Sequence, residues 1–321
     1  MKKNAALRLV DTRTLDRQQW LSVRQGGIGS SDAAAAVGLC PYKSQLELWL
    51  EKTGRTPAED APPGMGDPRY WGTLLEPYVA VAYSQQTDRK VRKVNAVLQH
   101  PTCPYMLANI DREVVGCPDV QILECKTAGI HGSMLWREGV PEYVQLQVMH
   151  QLAVTGKQAA DVAVLIGGQE LQVFRIERDA AMIAQLIALE RQFWWYVEQD
   201  KEPPADGSDS AELALRSLYP RDSGTTLDLR QDLVMSAVFS DLLAVREVIA
   251  AQTATEARLR QSIEQRMGDA TRALFENGEV SWKRSKDGVT LDTARLQKDQ
   301  APLLQGYTVP KPGSRRFLVQ T

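Results

Sequence analysis

Apolar positions along the chain fall into two rhythms, one helical and one alternating, and the points of change are readable. Residues 1–54 predict helix. The run Ser30-Ser-Asp-Ala-Ala-Ala-Ala-Val-Gly-Leu39 opens on N-cap residues and continues as alanine, while Leu46, Leu48, Trp49 and Leu50 precede a stop at Gly54. Pro and Gly density predicts a loop over 55–68, and a second helix follows over 71–86. The period then turns β-like over 90–99, 106–115 and 120–127. A helix over 141–156, strands over 161–168 and 171–178, and a long helix over 180–199 lead to a linker-like stretch at 201–210. Beyond it, 225–275 is mostly helical and ends at Glu276-Asn277-Gly278, with a strand-like tail in 280–292 and 315–321. No internal repeat is present. The pattern predicts an α/β core over 1–205, a mixed sheet flanked by helices, and over 206–321 a helical arm and small β-like tail packed on that core.

Composition narrows the class. A chain of 321 residues with 43% hydrophobic residues and a net charge of −2 fills a core, which excludes disorder as the dominant state. No apolar run reaches the ~18 residues of a membrane span. The N-terminal stretch has two lysines and no sustained apolar segment, so a secretory signal is not expected. The four cysteines form no CxxC pair and the three histidines lie at no zinc spacing from them, which argues against a zinc site or a disulfide framework. A soluble, cytoplasmic protein is the expectation. The near-neutral balance of 38 basic and 40 acidic residues decides nothing about nucleic acid, because an enclosing enzyme needs only a locally basic groove.

The chemistry concentrates in 109–127. Gly116-Cys117-Pro118-Asp119 is a turn signal between two β-branched runs. Folding the segment symmetrically about Cys117–Pro118 pairs residues whose numbers sum to 235, so Asp111 faces Glu124. Glu124 and Lys126 share a face because strand side chains alternate, and cross-strand partners share it too. Two carboxylates and one ammonium group thus converge. Carboxylates a few ångströms apart repel unless a divalent cation sits between them. A hard cation takes a few oxygens plus waters, and acidifies a bound water. The lysine can orient or deprotonate that water, or stabilise charge on a phosphate. An exposed hairpin face with a cross-strand ion pair would show the same residues.

This segment resembles the PD-(D/E)XK nuclease signature, an acid at the end of one strand and acid-x-Lys on the next, here Asp111 and Glu124-Cys125-Lys126. Asp119 of the literal Pro118-Asp119 dipeptide sits in the turn, with no room for a second strand before Glu124, so Asp111 is preferred. Asn109-Ile110 stands where the signature has a proline. Further blocks, in order, resemble the YqaJ-type viral recombinases, relatives of the lambda-type phage alkaline exonucleases. They are Arg24-Gln-Gly-Gly-Ile-Gly-Ser-Ser-Asp32, Pro41-Tyr-Lys-Ser44 with Leu48-Trp-Leu-Glu-Lys-Thr-Gly54, Gly72-Thr-Leu-Leu-Glu76, and Gln147-Val-Met-His-Gln151-Leu-Ala-Val-Thr-Gly156, in which Met149 replaces a glutamine. The resemblance covers about residues 20–200. It implies a restriction-endonuclease-like core and a metal-dependent exonuclease that degrades one strand of linear double-stranded DNA 5′ to 3′. In that reading Asp111, Glu124 and the Cys125 carbonyl bind Mg²⁺ or Mn²⁺, Glu76 assists, Lys126 serves the attacking water, and Gln147 joins the catalytic set. It further implies a phage or prophage protein in a bacterial host, a single-strand annealing partner and, by analogy, a homo-oligomer shaped as a trimeric ring.

Other residues carry readings of both kinds. The glycine-rich turn at 26–31 before a helix offers free N–H groups to a phosphate, and Arg24 a bidentate clamp; a capped helix after a flexible turn fits it as well. With the resemblance, Arg24, Ser31 and Ser30 become candidates for the 5′-terminal phosphate. The Lys-Ser/Thr ending of a Walker loop is missing, which ranks a nucleotide-binding enzyme last. Glu76 alone would read as a solvated helix charge. Tyr143, Gln147 and Gln151 line one helix face, leaving the share of Gln145 and Gln151 in the site open. Trp194, Trp195 and Tyr196 read as core. Arg89-Lys-Val-Arg-Lys93 reads either as a DNA path or as a charge-protected sheet edge. An endonuclease or single-strand nuclease, and a non-catalytic DNA-end-binding module, are the rival functions.

Overall fold

The computed structural model describes residues 6–55, 64–311 and 313–320. Two compact units divide the chain, Met1–Pro220 and Arg221–Thr321. The first opens with strand β1 (Leu7–Asp11) and helix α1 (Arg17–Gln25), which starts in a capping box: Asp16 accepts from the Gln19 N–H and Gln19 from the Asp16 N–H. Strand β2 (Ile28–Gly29), a tight turn over Ser30–Asp32, helix α2 (Ala33–Ala36) and helix α3 (Gln45–Lys52) follow. The all-helical expectation for 1–54 is therefore corrected. Leu7–Asp11 finds an antiparallel partner in a distant strand, and Gly38, at φ 76°, ends the alanine run after one turn.

Helix α4 (Pro68–Thr87) leads into β3 (Lys90–Lys93), β4 (Ala96–Gln99), β5 (Met106–Ala108), β6 (Arg112–Val115) and β7 (Ile122–Ala128). Helix α5 (Glu142–Thr155) then crosses to β8 (Ala159–Ile166), and β9 (Glu170–Glu177), α6 (Ala180–Glu198) and α7 (Asp209–Leu218) complete the unit. Five strands pair in the order β3-β6-β7-β8-β9, and four in the order β1-β4-β5-β2. Only β7 and β8 run parallel in the larger sheet, joined by the α5 crossover. The run α4-β3-β6-β7-α5-β8 is the expected α/β core, a mixed sheet flanked by helices. One face of the sheet packs on Val79, Ala80 and Tyr83 of α4, and the other on α5 and α6 through Val148, Leu152, Leu186 and Phe193. The hairpin register is the one expected: Arg112 pairs with Leu123 and Glu113 with Ile122.

The compact unit runs past 205. Helix α7, assigned from sequence to the arm, packs on α3, where the Ser210 hydroxyl accepts from the Ser44 N–H at 2.8 Å and donates to Glu47, and Ala211 and Ala214 are buried. Trp194 stacks near Tyr105 with ring centroids 6.1 Å apart, as a core residue does, but Trp195 is 44% exposed beneath Lys201.

In the second unit helix α8 (Leu233–Met267) stops at Gly268, short of the expected end at 276. The residues between belong to a hairpin, β10 (Arg272–Phe275) and β11 (Gly278–Ser281), turning at Glu276-Asn277. Of the strand-like tail, 280–292 gives only Val280 and Ser281 to β11 and no strand lies in 315–320, while short helices, α9 (Thr293–Asp299) and α10 (Ala301–Leu304), stand between the two stretches. Most of the 55–68 loop lies outside the described residues.

Candidate active site

The site forms where β6 begins and β7 runs beneath α5. Asp111 stands immediately before β6, and its Oδ2 accepts from the Cys125 N–H at 2.8 Å, so the hairpin itself fixes the carboxylate beside Glu124. Glu124 is 3% exposed. Its Oε1 accepts from Gln147 Nε2 at 2.5 Å and lies 2.8 Å from Lys126 Nζ, while its Oε2 accepts from Gln151 Nε2 at 2.7 Å. Lys126 Nζ donates in turn to Gln147 Oε1 at 2.8 Å, which closes a triangle of carboxylate, ammonium and amide. Glu76 reaches the group from α4, where Arg112 Nη1 donates to its Oε1 at 2.5 Å and to the Asp111 carbonyl at 2.7 Å.

Electrostatics follow from this crowding. Burial, then the Glu124 and Glu76 carboxylates, push the Asp111 carboxyl up to about 8, against the opposing pull of the Cys125 N–H and Lys126. Burial alone would lower the Lys126 ammonium, but Glu124 outweighs it and raises the group, so Lys126 is a cation at neutral pH. The Cys125 thiol faces the opposite side of β7, where it packs on the cluster beneath α4, and burial pushes it well above its ordinary range.

The donor set fits a hard divalent cation. Asp111 Oδ1 takes no hydrogen bond among the described residues, and the raised Asp111 carboxyl marks an excess of negative charge that a cation relieves. No three carboxylate, imidazole or thiol groups among the described residues stand close enough to hold an ion unaided. One or two carboxylates with waters and substrate oxygens is the arrangement that Mg²⁺ favours.

A second cluster surrounds Arg24. Its Nη2 donates to Asp32 Oδ1 at 3.0 Å and to Ser31 Oγ at 3.2 Å. Buried Asp32 also takes Lys52 Nζ at 2.7 Å, and Lys52 donates to the Arg24 carbonyl at 2.9 Å. Gly27 permits the close approach of this loop to β5: a Cβ there would lie 2.6 Å from the Tyr105 carbonyl. Ser31 is exposed beside Arg24, but Ser30 is buried and its hydroxyl has no partner. The Ser30–Asp32 turn packs on α5, so one helix supports both clusters.

Asp111, Glu124, Lys126, Gln147 and Glu76 are therefore brought together, and Arg24 and Ser31 form a separate group. Gln151 joins the site, whereas Gln145 turns away to donate to the Val140 carbonyl at 2.7 Å and Tyr143 packs edge-on against Tyr42. Asp119 is exposed in the turn. Arg89 leaves the basic cluster to pair with buried Asp161 at 2.7 Å, and Lys90–Lys93 form a sheet edge. Sequence reasoning missed Arg112, whose signal was its place directly after Asp111.

Comparison with known proteins places this site in a family. The model of the YqaJ-like viral recombinase domain matches residues 19–158. The chain belongs to the YqaJ-like viral recombinase family. It is 34% identical over 314 residues to the uncharacterized protein YqaJ of Bacillus subtilis (strain 168), covering 96% of each. Among solved structures it is similar to the alkaline exonuclease LHK-Exo of Laribacter hongkongensis, with TM-score 0.49, 22% identity, and 63% and 97% of the two chains covered. It is also similar to a phage-related exonuclease of Haemophilus somnus 129PT, with TM-score 0.37, 8% identity, and 56% and 99% covered. No helix among the described residues is long and apolar enough to cross a membrane.

Proposed function

We propose that the chain is a metal-dependent deoxyribonuclease that degrades one strand of linear double-stranded DNA 5′ to 3′, leaving a 3′ single strand for recombination by strand annealing. The observation that carries this reading is the triangle of Glu124, Lys126 and Gln147 beside a raised Asp111 carboxyl. Asp111, Glu124 and the Cys125 carbonyl would hold Mg²⁺ or Mn²⁺, with Glu76 assisting from the rim. When bound, the ion supplies Lewis-acid stabilisation of phosphate charge and a more acidic water.

The protein's own groups have distinct tasks. Lys126, being a cation, donates: it orients the attacking water and neutralises charge developing on the phosphate. Gln147 holds Lys126 and Glu124 at fixed separation. Arg24 and Ser31 would receive the 5′-terminal phosphate and set polarity, with the buried Ser30 hydroxyl behind them. Nothing in the site reads base edges, so no sequence preference is expected. A single-strand annealing protein, a homo-oligomer (a trimeric ring by analogy) and the cytoplasm of a bacterial host complete the reading.

The test is degradation of linear duplex DNA with and without Mg²⁺, wild type beside Lys126→Ala, on 5′-phosphorylated and 5′-hydroxyl ends. Metal-dependent loss that the substitution abolishes and the phosphate favours is expected. Equal digestion by the variant would overturn the site, and cutting of a closed circle would replace the exonuclease with an endonuclease.

A further inference from the structure

The second unit carries chemistry that the nuclease reading leaves unused. Of the 38 basic and 40 acidic residues, eight basic and three acidic lie in 281–321, so that stretch carries +5 and the remainder of the chain −7. An asymmetry of this size in a nearly neutral chain marks an electrostatic footprint for a polyanion. Two of the cations are occupied, Arg284 by Asp287 at 2.6 Å and Arg295 by Asp299 at 3.3 Å. Lys283, Lys286, Lys298, Lys311 and Arg316 have no acidic partner among the described residues.

Aromatic rings are interleaved with these cations. Trp282, Tyr307 and Phe317 are 46%, 80% and 76% exposed. Trp282 borders a groove of about 550 Å³ between α8 and the hairpin, walled by Leu259, Ile263 and Val280. Phe317 lies against Arg246 of the same helix, 5.9 Å from guanidinium to ring centre. Arg246 precedes the groove residues Gln252–Glu264 by six to eighteen positions, so the ring at Arg246 and the groove that Trp282 borders follow one another along α8, about 9–27 Å apart at 1.5 Å per residue. Glu256, Arg260 and Glu264 also line the groove, with Glu264 facing Arg260 at 3.5 Å. A phosphate chain is thereby turned toward the basic tail, while the apolar walls are left to bases.

We propose that residues 281–311 and 313–320, with the adjoining face of α8, form a second DNA site that binds single-stranded DNA without regard to sequence. Exposed rings need unstacked bases to stack on, which a duplex does not offer, and unpaired cations beside them take the backbone. An acidic polypeptide would satisfy the charge but leaves the rings without a role. The site holds a strand that has already lost its complement, and it shares no residue with the hydrolytic group of the first unit.

The probe is closed circular single-stranded DNA, which has no ends, with the full-length chain in EDTA, so binding is read without hydrolysis and without end recognition. Wild type is expected to bind, with affinity falling as salt rises. Trp282→Ala with Phe317→Ala should weaken binding about tenfold or more at every salt concentration, since each ring supplies one stacking contact. Lys283→Ala with Lys286→Ala should lower the slope of log K against log salt by about 1.4, at ~0.7 per phosphate contact on a single strand. A closed circular duplex should not compete at equal nucleotide concentration. Absence of wild-type binding, wild-type affinity in both variants, or full competition by the duplex circle would each overturn the site. A protein that binds the single-stranded circle yet leaves linear duplex intact would overturn only the nuclease reading.

Discussion

Gln151 is wholly buried, and its Nε2 donates to Glu124 Oε2 at 2.7 Å, one helical turn past Gln147, which holds the other oxygen of the same carboxylate. Two successive turns of α5 thus clamp Glu124 from above, leaving it a single orientation over β7. The same Gln151 amide donates to the Asn109 carbonyl at 3.3 Å, which ties the clamp to the chain leading into Asp111. One buried side chain that need not touch substrate thus orients Glu124 and braces the chain that leads into Asp111.

Gln151→Leu removes that donor and leaves the buried Glu124 Oε2 without it, at a cost of about 1–3 kcal/mol. In a folded unit of this size each kilocalorie corresponds to ~2–4 °C, so calorimetry should show a midpoint lower by several degrees. Hydrolysis of linear duplex should fall about 10–100-fold, the usual penalty for losing an outer-shell partner of a metal-site ligand. Wild-type rates in this variant would mean that Glu124 is held by Gln147 and Lys126 alone.

The raised Asp111 carboxyl makes metal binding proton-linked. With its midpoint at about 8 in the metal-free protein, Asp111 is mostly protonated at pH 7, and a cation must displace that proton. Apparent Mg²⁺ affinity should rise up to about tenfold per pH unit below 8 and flatten above it, with close to one proton released per ion at pH 7. Because the folded value lies above the ordinary carboxylate value, this group's contribution to stability is complete at low pH. It is lost as pH rises from about 4 to 8. The metal-free midpoint should fall across that window, and added Mg²⁺ should restore it at the alkaline end. Titration calorimetry in buffers of different ionisation heat measures the proton directly.

Much of this site is legible in the sequence. The turn Gly116–Asp119 fixes the hairpin symmetry, and period-two alternation then puts Glu124 and Lys126 on the face that Asp111 shares; the observed pairs, Arg112 with Leu123 and Glu113 with Ile122, follow that symmetry. What remained hidden depends on contacts across the fold. Arg112 alternates away from its neighbour on a strand, yet its long side chain reaches Glu76 on α4, a packing that no local pattern encodes. Leu7–Asp11 is a strand only because β4 lies beside it. Helix α7 follows a linker-like stretch, and only the Ser210 contacts to Ser44 and Glu47 show that it closes the first unit.

Beneath the site, His150 Nε2 faces the Leu107 carbonyl at 2.9 Å, an acceptor only, so that nitrogen carries a proton; Nδ1 meets Glu190 Oε1 at 2.7 Å. Burial alone would lower the imidazole, but Glu190 and the Leu107 carbonyl outweigh it and raise the group. Its stabilising contribution is therefore complete below about 6.5 and is lost as pH rises through the raised value. His150→Phe strands a buried carboxyl, at about 3–5 kcal/mol, or roughly 6–20 °C in the midpoint. Adding Glu190→Leu should recover part of it, and neither variant should keep the wild-type loss of stability toward alkaline pH. A full pH dependence in His150→Phe would assign it to another group.

Asp32 anchors the residues offered to the 5′ phosphate. Burial would raise its carboxyl, but the Lys52 and Arg24 cations prevail and hold it well below the usual range. The stability this adds is present above about pH 4 and disappears as pH falls through the lowered value. Asp32→Asn leaves buried Lys52 without its anion and frees Arg24 from the 3.0 Å contact that aims it beside Ser31. We expect a loss of about 3–5 kcal/mol, partly recovered by adding Lys52→Met. Preference for a 5′-phosphorylated over a 5′-hydroxyl end should drop in both variants, because an untethered guanidinium forfeits its preorganised geometry. The ratio of initial rates on the two ends separates this from a general loss of fold, which would lower both rates together. An unchanged ratio in a folded Asp32→Asn/Lys52→Met protein would show that Arg24 finds the phosphate without its anchor.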